Sequence, residues 1–355
     1  MNFFKLAISK WISLDRYLPI QIDITNFCNL NCSHCYHSHH NNSGVLSLAD
    51  WKHVITQYYD LANELRLKPD ILFCGGEPLT SPNLLPLVEY AKTFNRNTRF
   101  TVLTNGTIPK VLTQICQTRD TVLRFQVSID GPNRISHDKI RGEGSFAKSL
   151  EGIKLIKNAG FEVNILTVLS KASADSIEQF FQLAKDLGVD SMSFTRLVPT
   201  GNAERQTSND TQTLLGNDLK RAFQRILIAS SEYSIPTNTN APLWTIFDQA
   251  LGGIPFNFAD GIVIDYQGNL MATSRSRYKI GSVKSNSLRN LFLKNSLLND
   301  IRSGNIHGCK SCTKFNKCGG DRNIAWAMTG DFLEKDPGCW IDLEVKKIEK
   351  RRHIV

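Results

Sequence analysis

No run of apolar residues in this 355-residue chain is long enough to span a bilayer as a helix, so the sequence offers no membrane-spanning role. The amino terminus lacks a small-residue cleavage site, which excludes an ordinary signal peptide. Met1 to Leu14 instead mixes Phe3, Phe4, Leu6, Ile8, Trp11 and Ile12 with Lys5 and Lys10, the pattern of a short amphipathic helix expected to pack on the main body rather than on a membrane. Internal repeats and low-complexity segments are absent, which argues against a solenoid or a disordered tail. Basic and aromatic residues are not interleaved and no RNA-binding signature occurs. The formal net charge of +9 therefore reads as a solvated basic surface and not as a nucleic-acid site, although such a surface could draw in an acidic leader peptide. Nine cysteines in so long a chain are too few for a secreted disulfide framework. Metal-binding thiolates need a reducing compartment, so a cytoplasmic protein is expected, with one large core and a smaller module.

The cysteines that are present fall into groups. Cys28-Asn29-Leu30-Asn31-Cys32-Ser33-His34-Cys35 places three thiols in one short loop with spacing C-x3-C-x2-C. Thiolates are soft donors that suit iron–sulfur clusters. Three of them can hold three corners of a four-iron cubane, leaving one iron open to a substrate or cosubstrate. The same thiols could form a zinc knuckle with His34, His37, His39 or His40. Further on, Cys309, Cys312, Cys318 and Cys339 make a second set of four soft ligands, suited to zinc or to a cluster. Of the two cysteines left over, Cys74 is either a small buried apolar residue or, if it points inward, a hydrogen-atom donor. Cys116, on a predicted helix, reads as core or surface.

Between these groups the chain alternates strand and helix. Pro19 to Thr25, Asp70 to Phe73, Arg99 to Leu103, Leu123 to Ile129, Phe161 to Val168 and Ser191 to Leu197 read as strands. Helices are expected after the Ser47 N-cap, and over Leu84 to Phe94, Phe146 to Ala159 (closed by Gly160) and Ser176 to Leu187. Such alternation predicts an α/β fold with a parallel sheet, and six units predict an incomplete barrel. Cys28, Gly75, Asn105, Ser128, Asp130 and Arg196 all fall at the carboxyl ends of these strands, where parallel architectures place their chemistry. From Asn202 to Ala250 the alternation stops. Leu219 to Ile228 reads as a helix and the polar run Ser230 to Asn240 as a linker. Ile262 to Asp265 and Leu270 to Thr273 read as a hairpin through Gly268-Asn269, and Leu288 to Ile301 as a helix.

The three-cysteine loop after a strand, with the ring of His34 before its last cysteine, resembles the radical S-adenosylmethionine (SAM) enzymes. Gly75-Gly76-Glu77-Pro78 resembles the second signature of that family. The resemblance implies a (βα)6 partial TIM barrel and a [4Fe–4S] cluster on Cys28, Cys32 and Cys35. The open iron of that cluster chelates SAM, and one electron splits the sulfonium to give a 5'-deoxyadenosyl radical. Carried over residue by residue, His34, Gly75, Gly76, Glu77 and Asn105 join the cofactor site. Gly75 to Glu77 would receive the SAM amino group, Ser128 and Asp130 its ribose or methionine, Arg141 its carboxylate and Leu197 its adenine. A pair of glycines lets backbone approach a ligand closely, and a guanidinium suits a carboxylate.

Cys309-x2-Cys312-x5-Cys318 followed by Cys339 resembles the C-terminal SPASM/twitch-type extension of radical SAM enzymes that modify peptides, which carries up to two auxiliary clusters. Three expected ligand positions are changed, near Ala272 and Thr273, near Asn286, and at Arg322. The resemblance therefore implies one complete auxiliary [4Fe–4S] cluster and loss of the other. The expected organisation is an amphipathic segment over 1–17, the barrel over 18–205, a helical bridge over 206–255 and the cluster module over 256–355. The expected function is maturation of a ribosomally made precursor peptide through a crosslink, with a carbon–carbon cyclophane favoured over a thioether. A peptide epimerase using Cys74, a formylglycine-installing sulfatase activator and a non-catalytic zinc adaptor are the alternatives. Expected partners are the precursor peptide and a reductant such as flavodoxin or ferredoxin, with neither nucleic acid nor membrane. The residues ahead of the first strand leave no room for the winged-helix leader-binding domain that some relatives carry.

Overall fold

Strand β1 (Tyr17–Thr25) shows how this sequence sorts its side chains. Leu18, Ile20, Ile22 and Ile24 are fully buried on one face, and Gln21, Asp23 and Thr25 are buried on the other. A strand of period two puts these sets on opposite sides of the sheet, so the apolar set meets the surrounding helices and the polar set faces the barrel interior. The computed structural model describes residues 17–37, 41–117, 123–205, 212–239, 241–247, 261–315 and 318–341. The expected amino-terminal amphipathic helix lies outside the described residues, as do His39, His40 and the Cys116 side chain.

The sheet continues through β2 (Lys68–Gly75), β3 (Arg99–Thr104), β4 (Leu123–Ser128), β5 (Glu162–Leu169), β6 (Ser191–Arg196) and β7 (Thr237–Thr239), each parallel to the one before. On the other side of β1 come β8 (Ile262–Ile264), β9 (Asn269–Met271) and β10 (Lys279–Ser282). The full order is β10-β9-β8-β1-β2-β3-β4-β5-β6-β7, an α/β partial barrel. Strand β8 is parallel to β1, while β8–β9 and β9–β10 are antiparallel.

Two expectations from the sequence are corrected. The run Ser230 to Asn240 is not a linker: the helix Gly216–Tyr233 extends into it, and β7 then pairs with β6 in the register Met192↔Thr237. The alternation therefore continues for one more unit. Polar Thr237-Asn238-Thr239 hides this strand because it sits at the sheet's edge, where alternation is not imposed from both sides. The single helix expected over Leu288 to Ile301 is two, Leu288–Lys294 and Ser296–Ser303. Asn295 interrupts them with an extended backbone, and its side chain accepts from Leu298 N to cap the second.

The helix Leu48–Leu65 begins with a capping box in which Ser47 and Asp50 exchange hydrogen bonds. Its buried face carries Trp51, Val54, Ile55, Tyr58, Leu61 and Ala62. Tyr58 is fully buried. Its hydroxyl donates to Leu18 O at 2.6 Å and accepts from Asp70 N at 2.8 Å, so one side chain ties the helix to the starts of β1 and β2. Replacing Tyr58 with Phe leaves the Asp70 N–H buried without that partner. The Y58F variant should lose about 1–3 kcal/mol of stability, read from the midpoint of urea unfolding.

Candidate active site

A cavity of about 320 Å³ opens at the carboxyl ends of the strands. Cys28, Cys32, His34 and Cys35 line it from the loop after β1, and Gly75, Gly76 and Glu77 from the end of β2. Asn105, Ser128, Arg141 and Leu197 complete the wall from the following βα units. Of the candidate residues in the barrel, Asp130 alone sits behind this wall, and it acts on the cavity through others.

The cysteine loop has no regular structure of its own, so its backbone must be held by its neighbours. The Asn42 side chain accepts from Asn26 N, Phe27 N and the Thr25 hydroxyl at 2.8–3.0 Å. Gly76 N donates to Thr25 O and Glu77 N to Phe27 O, both at 2.8 Å. Ser33 N donates to Ile140 O, and Asn202 N to Cys35 O. The two glycines are explained by this contact. A Cβ on Gly76 would stand 2.1 Å from Phe27 O, and one on Gly75, at φ +119°, would stand 2.2 Å from Thr25 O. The close approach that the sequence assigned to a ligand is first an approach to the cysteine loop.

Glu77 continues the brace. Its buried carboxylate accepts from Thr104 Oγ1 at 2.7 Å, from Asn105 N at 2.7 Å and from Leu79 N at 3.1 Å. Burial pushes its pKa up to about 7, against the pull of these donors. Asn105, placed by Glu77, donates from Nδ2 to Asn29 Oδ1 at 2.9 Å and lies 3.9 Å from Cys28 Sγ.

On the opposite wall Asp130 Oδ2 receives His34 Nε2 at 2.7 Å and Arg141 Nε at 2.5 Å, and Oδ1 accepts from Val168 N at 2.7 Å. Burial alone would raise the Asp130 pKa, but Arg141 and His34 outweigh it and hold the carboxyl well below the usual carboxylate range. Burial alone would lower the Arg141 pKa, and Asp130, with Cys32 nearby, raises it instead. Asp130 is thus occupied by protein partners and aims His34 and Arg141. Beneath them His137 is fully buried and accepts from Asp130 N at 3.3 Å; burial and then Arg141 push its pKa down to about 4.

Sequence reasoning missed Tyr36, Asp23 and Arg275 at the wall and left open which way Cys74 points. Tyr36 and Cys74 both line the cavity, their hydroxyl and thiol 3.7 Å apart, so Cys74 faces inward. Asp23, on the inner face of β1, lies near both, and burial pushes its pKa up to about 7. Arg275 reaches the same wall from beyond β9, donating to Thr195 Oγ1 and to Arg196 O. Tyr36 was findable as the neighbour of Cys35, whereas nothing local in the sequence links Arg275 to a strand eighty positions earlier.

A second pocket gathers Cys309, Cys312, Cys318 and Cys339 with Gly319, Gly320, Phe315 and Asp336. Gly320 N donates to Cys318 Sγ at 3.4 Å. Of the changed positions, Ala272, Thr273 and Arg322 are buried and Asn286 is exposed. The donor sets fit clusters better than zinc. Among the described residues, the one trio of His, Cys, Asp or Glu ligand atoms within 4.8 Å of one another is His307, Asp331 and Glu334, with no cysteine in it. A single zinc with bonds of about 2.3 Å would hold its sulfurs roughly 3.8 Å apart, a closer gathering than any three of the described thiols show. Of the histidines near the loop that are described, His34 is engaged by Asp130, and His37 lies 3.0 Å from Arg277. Burial pushes the Cys28 thiol up to about 12 and the Cys32 thiol to about 11, so the bare loop keeps its protons until a metal displaces them.

The profile of the Radical SAM superfamily matches residues 22–195. An AdoMet-dependent heme synthase of Methanosarcina barkeri is 27% identical over 346 residues, spanning 89% of this chain and 94% of that protein. The mycofactocin maturase MftC of Mycobacterium tuberculosis is 28% identical over 361 residues, spanning 96% and 87%. Among solved structures, anSMEcpe with bound AdoMet superposes with a TM-score of 0.71 at 18% identity, covering 95% of this chain and 98% of that one. Streptococcus suis SuiB bound to the precursor peptide SuiA does so with a TM-score of 0.68 at 15% identity, covering 91% and 75%.

Two outcomes follow from the geometry. Gly76→Ala forces the β2 end away from Phe27 O, so the variant should fold but bind markedly less iron at the three-cysteine loop, measured by iron and sulfide content after anaerobic reconstitution. His137 is charged in the unfolded chain below its usual pKa of 6.5 and stays neutral in the folded chain down to about 4. Its contribution is therefore present above pH 6.5 and lost as the pH falls towards 4. Over that window the metal-free protein should lose up to about 3 kcal/mol through this group, and H137N should flatten that part of the pH dependence in urea unfolding.

Proposed function

This chain carries a radical SAM domain over residues 22–195 and is a radical SAM enzyme, and on that premise we propose that it matures a ribosomally made precursor peptide by hydrogen-atom abstraction followed by crosslinking. The observation that carries the chemistry is a single cavity lined by three loop thiols, the strand-end glycines and Arg141. Cys28, Cys32 and Cys35 would hold a [4Fe–4S] cluster, which when bound supplies the electron that splits SAM into methionine and a 5'-deoxyadenosyl radical. Arg141, with its Nε held by Asp130, would take the SAM carboxylate. The backbone of Gly75 to Glu77 would take the amino group, with Ser128 and Leu197 along the rest of the cosubstrate. His34 is kept in place by Asp130, and Asn105 steadies the loop at Asn29. Cys309, Cys312, Cys318 and Cys339 would hold one auxiliary [4Fe–4S] cluster, supplying a site for the electron released when the crosslink closes.

The peptide substrate is supported by MftC and SuiB, named respectively as a maturase and as bound to a precursor peptide. Of the closures open to such an enzyme we favour a carbon–carbon link over a thioether. The barrel over 18–205, the bridge over 206–255 and the module over 256–355 would divide cleavage, connection and electron handling, after the segment 1–17. A flavodoxin- or ferredoxin-like donor in the cytoplasm would supply the first electron. The inward Cys74 keeps an epimerase as the next reading for a peptide substrate, whereas a sulfatase-type oxidation would leave an aldehyde.

A second reading is favoured by the similarity to heme synthases, which spans 89% of this chain. Co-expression with a neighbouring-gene peptide, followed by mass spectrometry, separates these possibilities. The peptide should lose two hydrogens with its cysteines still open to alkylation, and the C32A variant should abolish the change. An unaltered mass shift in C32A would refute the radical mechanism, and deuterium uptake without hydrogen loss would indicate epimerisation. Restored heme in a heme-deficient strain, with every candidate peptide unchanged, would move the assignment to heme synthesis.

A further inference from the structure

The four-cysteine site holds a buried cation, and the following inference rests on the reading that those cysteines carry an iron–sulfur cluster. We propose that Arg322 raises the reduction potential of that cluster and so makes it an electron acceptor rather than a structural pin.

Arg322 is fully buried at the start of the helix Arg322–Thr329. Its Nη1 donates to Phe332 O at 2.6 Å and to Glu334 O at 2.7 Å. Backbone carbonyls hold the group in place, and the buried carboxylates that act on it, Asp336 and Asp321, do so without a direct ion pair. Asp336 is engaged elsewhere: its Oδ2 binds Arg196 at 2.7 Å and accepts from Asp321 N, while Oδ1 accepts from Gly338 N, and the Asp321 carboxylate itself stands 3.9 Å from Arg196. Arg322 Nη2 has no hydrogen-bond partner. It rests on Gly320, where a Cβ would stand 2.5 Å away, and Gly320 is the residue whose N–H donates to Cys318 Sγ. The field of Arg322 reaches Cys309 as well as Cys318. The guanidinium therefore stands just behind the turn that follows Cys318.

The electrostatic consequence has a definite sign. A cubane on four thiolates bears a net negative charge that grows by one when it takes an electron. A fixed buried cation stabilises the more negative form more strongly, because little water screens it. Reduction becomes easier, as a site receiving an electron from the cavity requires. The cavity is close: Arg196, the partner of Asp336, lines its wall, and a Cβ on Gly338, next to Cys339, would stand 2.1 Å from Arg196 Nη2.

The test is a redox titration of the reconstituted full-length protein followed by EPR, run in parallel on a C28A/C32A/C35A background in which only the four-cysteine site is loaded. At a fixed ambient potential the R322Q variant should show at least a tenfold lower ratio of reduced to oxidised cluster, a shift of about 59 mV for one electron, while R322K stays near the wild-type ratio. An unchanged ratio in R322Q with full iron content overturns the proposal. If R322Q and R322M both lose their iron, R322K decides: cluster and potential retained support the charge role, and cluster lost there as well shows a purely structural one and overturns it. Zinc in place of iron in the triple-alanine background refutes the cluster reading itself, and the role of Arg322 with it, which distinguishes that failure from the others.

Discussion

The site depends on one backbone contact, the paired hydrogen bonds from Gly76 and Glu77 onto Thr25 and Phe27. A loop that gives three of its eight positions to thiols has few side chains left to fold itself. Here it borrows rigidity from the adjoining strand end, and the borrowing works only where the strand end has no Cβ. Glu77 passes the constraint on to Thr104 and Asn105, and Asn105 returns it to Asn29 in the cysteine loop. The ends of three consecutive strands are thereby held in register around the same opening.

Charge is handled differently at the two cysteine groups. Around the three-cysteine loop the buried cation Arg141 is matched by Asp130, which also fixes His34. Removing either partner would leave a buried charge unpaired, so the group acts as a unit. At the four-cysteine pocket Arg196 is matched by Asp336, whereas Arg322 meets carbonyls. The first cation is paired directly, while Arg322 feels Asp336 and Asp321 without a direct ion pair and stands near thiols that would become negative on binding metal. The same residue type thus serves as a clamp in one place and as a standing field in the other.

Much of the barrel was legible in the sequence. β1 to β6 carry enough β-branched and aromatic residues, bounded by turns, for the period-two pattern to survive without tertiary knowledge. The loop Cys28 to Cys35 and the run Gly75 to Glu77 were legible for another reason: their spacing serves chemistry and tolerates little else. β7 was not legible, because Thr237-Asn238-Thr239 is polar and becomes a strand only when β6 offers a free edge. Nor was the parallel pairing of β8 with β1, which carries the C-terminal hairpin onto the barrel sheet. The pairing of Asp130 with both His34 and Arg141 was hidden as well, since sequence placed all three at the site but not against one another.

The sequence by itself determined which atoms could bind metal and where along the chain they lie, because ligand type and local spacing are properties of a few neighbouring residues. It also determined that strands and helices alternate, because hydrophobic periodicity is local. Only the tertiary structure decided that Gly75 and Gly76 make room for the cysteine loop, that Cys74 and Arg275 reach the same wall, and that Arg322 stands behind Cys318. Each of these is a meeting of segments far apart in the chain, and it exists only once backbones have closed to contact distance and buried charges have found, or failed to find, a partner.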